Sequence, residues 1–148
     1  MRCVVQRVAW AEVTVDGDTV GRIERGLLAL VGVGPDDDDR TARALADKLA
    51  ALRVFPDERG RMHFPVGAVG GGVLVVSQFT LFGDVTRGNR PSFIGAADPA
   101  VAEPLVAAVA ARLRDAHTLT VAEGRFGAAM AVASLNDGPV TLVLDIER

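Results

Sequence analysis

The sequence predicts an α+β fold: a β-rich single domain spanning residues 1–148, in which a mixed or antiparallel sheet carries two main helices. Three observations lead there. Residues 26–33 and 73–76 are continuously apolar, the pattern of strands buried on both faces. Two stretches of helical spacing, 42–52 and 99–113, fall between β-like segments rather than alternating regularly with them. The chain has 148 residues, of which 49% are hydrophobic. That is enough for one core burying about 70% of the unfolded surface.

Taken in order, residues 3–8 and 11–15 alternate as strands do, and Asp16-Gly17-Asp18 reads as a hairpin turn into a strand at 20–23. The strand at 26–33 ends at Gly34-Pro35, followed by four aspartates, Asp36 to Asp39. A cation loop needs alternating ligands and a sharp turn, whereas helical spacing follows here at once. The run is therefore read as acidic charge complementing the dipole of a helix over 42–52. Residues 56–60 make a turn before a short strand at 61–64. The glycines of 67–72 form a flexible lead-in to the buried strand that follows. They lack the Lys-Ser/Thr of a phosphate-binding loop, and no helix follows them. Periodicity is lost from Phe82 to Gly95. Asp98 then caps a second helix with Pro99 at its first position. Strands are expected at 119–122, 130–135 and 140–146, the last two joined at Asn136-Asp137-Gly138-Pro139, whose local chemistry is that of a hairpin connection.

The function classes narrow with composition. The formal net charge is −3, which argues against a protein that coats nucleic acid but leaves room for a small footprint on one. No apolar run approaches the ~20 residues that cross a bilayer, and the first ten residues carry internal charge without a small-residue cleavage site, so a cytoplasmic location is expected. Cys3 is the one cysteine and reads as a small hydrophobe in the first strand. Two histidines, His63 and His117, without paired cysteines argue against a catalytic zinc site, and neither has the context of a Ser-His-Asp triad.

The segment VLVVSQFTL, residues 73–81, points to a site. A rigid, doubly buried strand hands over abruptly to Ser77, Gln78 and Thr80, so hydroxyl and amide groups are fixed at a strand end. Beside it in sequence, Arg87 and Arg90 accompany Asn89, Ser92 and Phe93. Guanidinium groups next to an aromatic ring suit an anionic or nucleotide ligand, the alternative being a solvated loop.

SQFTL at 77–81, RGNRPSF at 87–93, GRFGAAM at 124–130 and NDGPVT at 136–141 occur in the order and spacing of the D-aminoacyl-tRNA deacylases. The opening QRVAWAEVTVDG also resembles their N-terminal hairpin, so the resemblance covers essentially the whole chain. It implies hydrolysis of the ester joining a D-amino acid, or glycine, to the 3′-terminal ribose of tRNA. It further implies a homodimer in which Gly138-Pro139, as a Gly-cisPro dipeptide, enters the partner's pocket and rejects L-amino acids. Ser77, Gln78, Phe79 and Thr80 would form the catalytic segment, with backbone N–H groups around Gln78, Phe79 and Thr80 as the oxyanion hole. Arg87, Arg90, Phe126, Met130 and Asn136 are the candidates for substrate and tRNA contact, and Phe79, Phe93 and Phe126 for stacking on the terminal base. No metal or other cofactor is expected, and neither a membrane nor DNA as partner.

Ala129, Glu123, Trp10 and Glu12 depart from the family's usual residues; they bear on substrate range and tRNA preference more than on the reaction. Two other readings stand beside the enzyme. The chain could be a non-catalytic RNA-end binding module, with residues 77–80 merely ending a strand, or the same residues could form only a homodimer interface.

Overall fold

The computed structural model of the chain describes residues 1–147. Its strands are β1 Arg2–Val15, β2 Asp18–Ile23, β3 Gly26–Gly32, β4 Phe55–Pro56, β5 Met62–Phe64, β6 Gly72–Ser77, β7 Thr120–Glu123 and β8 Ala131–Asp145; its helices are α1 Asp39–Ala51 and α2 Pro99–Asp115. The α+β expectation with two main helices holds. No helix among the described residues is long and apolar enough to cross a membrane.

The main sheet runs β2-β1-β3-β6-β7, with β8 along the other edge of β1. It is mixed: β3–β6 and β6–β7 are parallel, and the pairs involving β1 are antiparallel. The two strands expected at 3–8 and 11–15 are one long strand. Its first half pairs with β3, its second with β2, and register shifts flank Val8, where it bends. The bend carries β2 round towards β7, so the sheet nearly closes. Gly21 permits the approach, since a Cβ there would lie 2.3 Å from the Glu123 carbonyl oxygen.

Near-closure explains the continuously apolar strands. Val73 and Val75 face the helices, in a core that also holds Leu45, Leu49, Val109 and Leu113. Leu74 and Val76 face the sheet's concave side with Val8, Val13 and Leu28. Cys3 lies in the helix-side core, where burial pushes its thiol up to about 12, so it is no nucleophile.

The aspartate run divides its work. Asp38 caps α1 in a reciprocal box with Thr41, Asp39 sits in the first turn, and Asp37 accepts from the Gly34 N–H at 2.7 Å. The expected flexible glycine lead-in is instead a 3₁₀ turn, Val66–Val69, held by the fully buried Val66. Asp98 stands at the N-cap of α2 as expected, yet its side chain makes no capping bond.

The two helices are joined by Asp47, which accepts both Nε (2.9 Å) and Nη2 (3.1 Å) of Arg112 and meets His117 Nε2 at 2.6 Å. Hydrogen bonds from Arg112, then from His117, hold its carboxyl below the usual aspartate range. A depressed carboxyl stabilises the fold above the unfolded-state value near 4 and loses that contribution as pH falls through the folded one. Asp47→Asn should therefore lower the urea midpoint at neutral pH, and the difference from wild type should shrink on acidification. A gap that widened in acid would overturn this.

β8 is an edge strand with no strand on its outer side among the described residues. It exposes Val132 (40%), Leu135 (54%) and Val143 (64%). A long edge with bare apolar side chains is a surface that soluble proteins ordinarily cover.

Candidate active site

The cleft is built where two parallel strands end. β3 and β6 run side by side to Val31 and Ser77, and the Gln78 N–H donates to the Val31 carbonyl at 2.7 Å as the chain leaves the sheet. Residues Phe79–Phe82 then form a single 3₁₀ turn. The polar residues of SQFTL are thus fixed by a strand with no freedom on either face. The Gln78 side-chain amide donates to Thr80 Oγ1, tying the two together.

This segment forms one lip of a cleft of about 510 Å³. Ser77, Gln78 and Phe79 face Ala96, Ala97 and Asp98 at the start of α2, with Phe126, Met130 and Val132 closing the third side. Phe93 meets Phe79 edge to face, centroids 5.0 Å apart. The wall is mostly apolar with a few converging polar groups, the usual make-up of a small-molecule site.

Not every expected residue is there. Ser77, Gln78, Phe79, Phe126 and Met130 line the cleft, whereas Thr80, Arg87, Arg90, Asn136, Gly138 and Pro139 do not. Thr80 is linked to it through Gln78. The oxyanion expectation is corrected at Gln78, whose N–H is spent on Val31. The Phe79 and Thr80 N–H groups open the 3₁₀ turn, where no carbonyl of the same turn can accept them. Arg87 and Arg90 lie exposed in a loop pinched by paired backbone bonds between Asp84 and Ser92, at 2.8 and 2.9 Å. Asp98 was missed as a cleft residue because its position after Ala97 and before Pro99 reads as a helix cap and nothing else.

The expected hairpin connection at Asn136-Asp137-Gly138-Pro139 is not one. The segments on either side do not pair with each other. Both pair with β1, Asn136 opposite Val8 and Thr141 opposite Gln6, so residues 137–140 bulge out of a single strand. The long β1 offers both halves a ready partner, which local turn chemistry cannot reveal. Within the bulge the Gly138-Pro139 bond is cis. Asn136 Oδ1 accepts the Val140 N–H at 2.8 Å, and its amide donates to the Val140 carbonyl at 3.2 Å. Arg7 anchors the bulge to the body, with Nε donating to the Asp137 carbonyl at 2.8 Å and Nη1 to the Val54 carbonyl at 2.6 Å. Sequence reading missed Arg7, because a contact spanning 130 residues leaves no local signal.

The bulge and the cleft lie at opposite poles. Arg7 is level with Leu27 on β3, and Leu27 with Val73 on β6, four residues before Ser77. That is about 13 Å along the strand direction alone. The bulge cannot complete the cleft of its own chain.

A mostly apolar cleft at the ends of buried strands, with hydroxyl, amide and backbone N–H groups gathered on one lip, defines an enzyme-like site for a small organic group. The model of the family described as D-Tyr-tRNA(Tyr) deacylase matches residues 4–145, and the chain belongs to that family. Relatives named D-aminoacyl-tRNA deacylase are 56% identical in Anaeromyxobacter dehalogenans, over 100% of this chain and 99% of theirs, and 56% identical in Deinococcus radiodurans, over 99% and 100%. The chain is accordingly an enzyme, a hydrolase. Among solved structures, one titled c-Myc DNA Unwinding Element Binding Protein superposes with a TM-score of 0.89 at 37% identity over the whole of both chains. Another, of a probable eukaryotic D-amino acid tRNA deacylase, gives 0.87 at 18% identity over 98% of each and speaks for the fold alone.

Proposed function

We propose that the chain hydrolyses the ester of D-aminoacyl-tRNA, and of mischarged glycyl-tRNA, releasing free tRNA and the amino acid. The full-length likeness to relatives of that name carries the reading. Cytoplasmic location follows from the same reading, as the place where charged tRNA is used.

The active unit is a homodimer with two shared sites. Its support is the distance between bulge and cleft, together with the bare apolar edge of β8. In the dimer the bulge of one subunit enters the cleft of the other. Neighbouring carbonyl oxygens there hold the substrate's α-ammonium and leave no room for an L side chain, so selectivity comes from excluding the wrong enantiomer. Glycine, with no side chain, is not excluded.

Water is the nucleophile. Negative charge developing on the ester carbonyl oxygen meets the Phe79 and Thr80 N–H groups, a donor of this kind being worth about 3 kcal/mol. A threonine hydroxyl without a base is a poor nucleophile, and the vicinal 2′-hydroxyl of the terminal ribose is better placed to orient the water. Gln78 and Thr80 position substrate, Phe126 and Met130 bound the nucleoside end of the cleft, Asn136 braces the bulge, and Arg87 and Arg90 meet phosphates of the acceptor end.

Matched D- and L-tyrosyl-tRNA test this directly. Rapid loss of the D ester with the L ester spared is the expected result. Tight binding of a 3′-aminoacyl adenosine analogue without turnover of either ester would favour a binding module, and no binding at all a purely structural dimer.

A further inference from the structure

Seven arginines among the described residues have no carboxylate partner, and they are not spread evenly. Arg87, Arg90 and Arg125 stand at the cleft's pole, beside Phe93 and Phe126. Arg25, Arg53, Arg59 and Arg61 stand at the bulge's pole. The seven other described arginines, Arg2 near the cleft end of β1 and Arg7 at the bulge among them, are all paired. In a chain of net charge −3, whose carboxylates without an ion-pair partner among the described residues include Asp84 and Asp98 at the cleft's pole and Asp57 and Glu58 on the β4–β5 hairpin, this gathers the unpaired guanidinium groups at the two ends that an exchanged bulge would bring together.

The second region is built on the β4–β5 hairpin. Phe55 pairs with Phe64 and Pro56 with Met62. Asp57 closes the turn, its Oδ1 accepting the N–H groups of Arg59 at 2.9 Å and Arg61 at 3.0 Å. The carboxylate thus organises the backbone while both guanidinium groups project exposed into solvent. At the hairpin's base Arg53 donates from Nε to the His63 carbonyl at 2.7 Å. Arg7, which holds the bulge, also holds the neighbouring Val54 carbonyl. The hairpin and the bulge are therefore one structural unit.

We infer that this hairpin, through Arg59 and Arg61, is a phosphate-binding arm that grips the acceptor end of the tRNA whose aminoacyl group lies in the partner subunit's cleft. The inference rests on the tRNA-ester reading and on the exchanged bulge. An element fixed beside the bulge arrives at the mouth of the opposite cleft whenever the bulge enters it. Its charges there face Arg87 and Arg90 across the entrance, so the terminal nucleotides pass between two positive sets supplied by different subunits. Two fixed sets orient a polyanion, whereas one would only attract it. Neither set reads base edges, which suits an enzyme that must accept many tRNAs.

The test compares wild type with the double variant R59A/R61A and its charge-keeping control R59K/R61K, on D-tyrosyl-tRNA and on 3′-D-tyrosyl adenosine. Binding of labelled uncharged tRNA is followed in parallel across salt concentrations. Removing both charges should lower the ratio of kcat/KM for the tRNA ester to that for the adenosine ester about tenfold, through KM. The plot of log affinity for uncharged tRNA against log salt should become shallower by about two, one for each phosphate no longer neutralised. The lysine pair should recover most of that slope, since phosphate attraction needs charge more than a guanidinium fork. An unchanged ratio and slope, or equal loss on both substrates, overturns the inference. So does duplex DNA of equal length binding as tightly as tRNA with the same dependence on Arg59 and Arg61. A wild type that hydrolyses neither ester but binds tRNA through the hairpin would sink the deacylase reading and leave the arm standing; absence of tRNA binding would sink the arm.

Discussion

Gly138→Ala is expected to slow hydrolysis of D-tyrosyl-tRNA about a hundredfold while the fold survives. Gly138 has a φ of +155°, a region side chains rarely adopt, and a Cβ there would lie 2.6 Å from the Val140 nitrogen and 2.7 Å from its Cγ2. Both contacts are within the bulge, so the bulge itself must move. The Val140 N–H is the donor that Asn136 Oδ1 holds, and shifting it displaces the dipeptide that the proposed mechanism inserts beside the substrate. A displacement near 1 Å at such a point costs about two orders of magnitude in rate. The sheet should tolerate the change, because β8 pairs with β1 on both sides of the bulge independently. Initial rates on the D and L esters, with thermal melting alongside, check it. A variant with wild-type D-ester rates would remove the bulge from the mechanism, and a collapsed melting transition would show that the residue serves the fold.

Phe55→Ala should cost about 3–5 kcal/mol of stability. The ring is fully buried in the helix-side core, and the Arg25 guanidinium lies over it, 5.3 Å from the centroid. Against a typical total of about 5–15 kcal/mol this takes a large share, equivalent to a fall in Tm on the order of 10 °C. Phe55 adjoins Val54, whose carbonyl holds Arg7, so activity should fall below what the folded fraction alone explains. Phe55→Leu, which keeps most of the volume, should recover most of both. Urea unfolding of the three proteins measures the effect, and an alanine variant within about 1 kcal/mol of wild type would mean that the site collapses without a cavity.

Most of the fold was legible because its signals are local. The doubly buried β3 and β6, the acidic start of α1 and the Asp98-Pro99 start of α2 are carried by consecutive residues. Half of the site was legible for the same reason: Ser77 to Thr80 follow a strand whose composition fixes it. The bulge was misread as a hairpin because the residues that would reveal it belong to β1, more than a hundred positions away. Likewise the loss of Gln78 as an oxyanion donor depends on the Val31 carbonyl, and the anchoring of the bulge on Arg7. Motif resemblance located these residues; only their long-range partners say what each is free to do.

The separation of bulge and cleft also has a genetic meaning. If each site draws its two halves from different chains, a subunit defective at Gly138 and one defective at Thr80 are each inactive alone. Mixed, they form heterodimers in which one site gathers both lesions and the other gathers none. Random pairing would restore about a quarter of the wild-type sites. Two alleles, neither functional in itself, would complement each other within one cell.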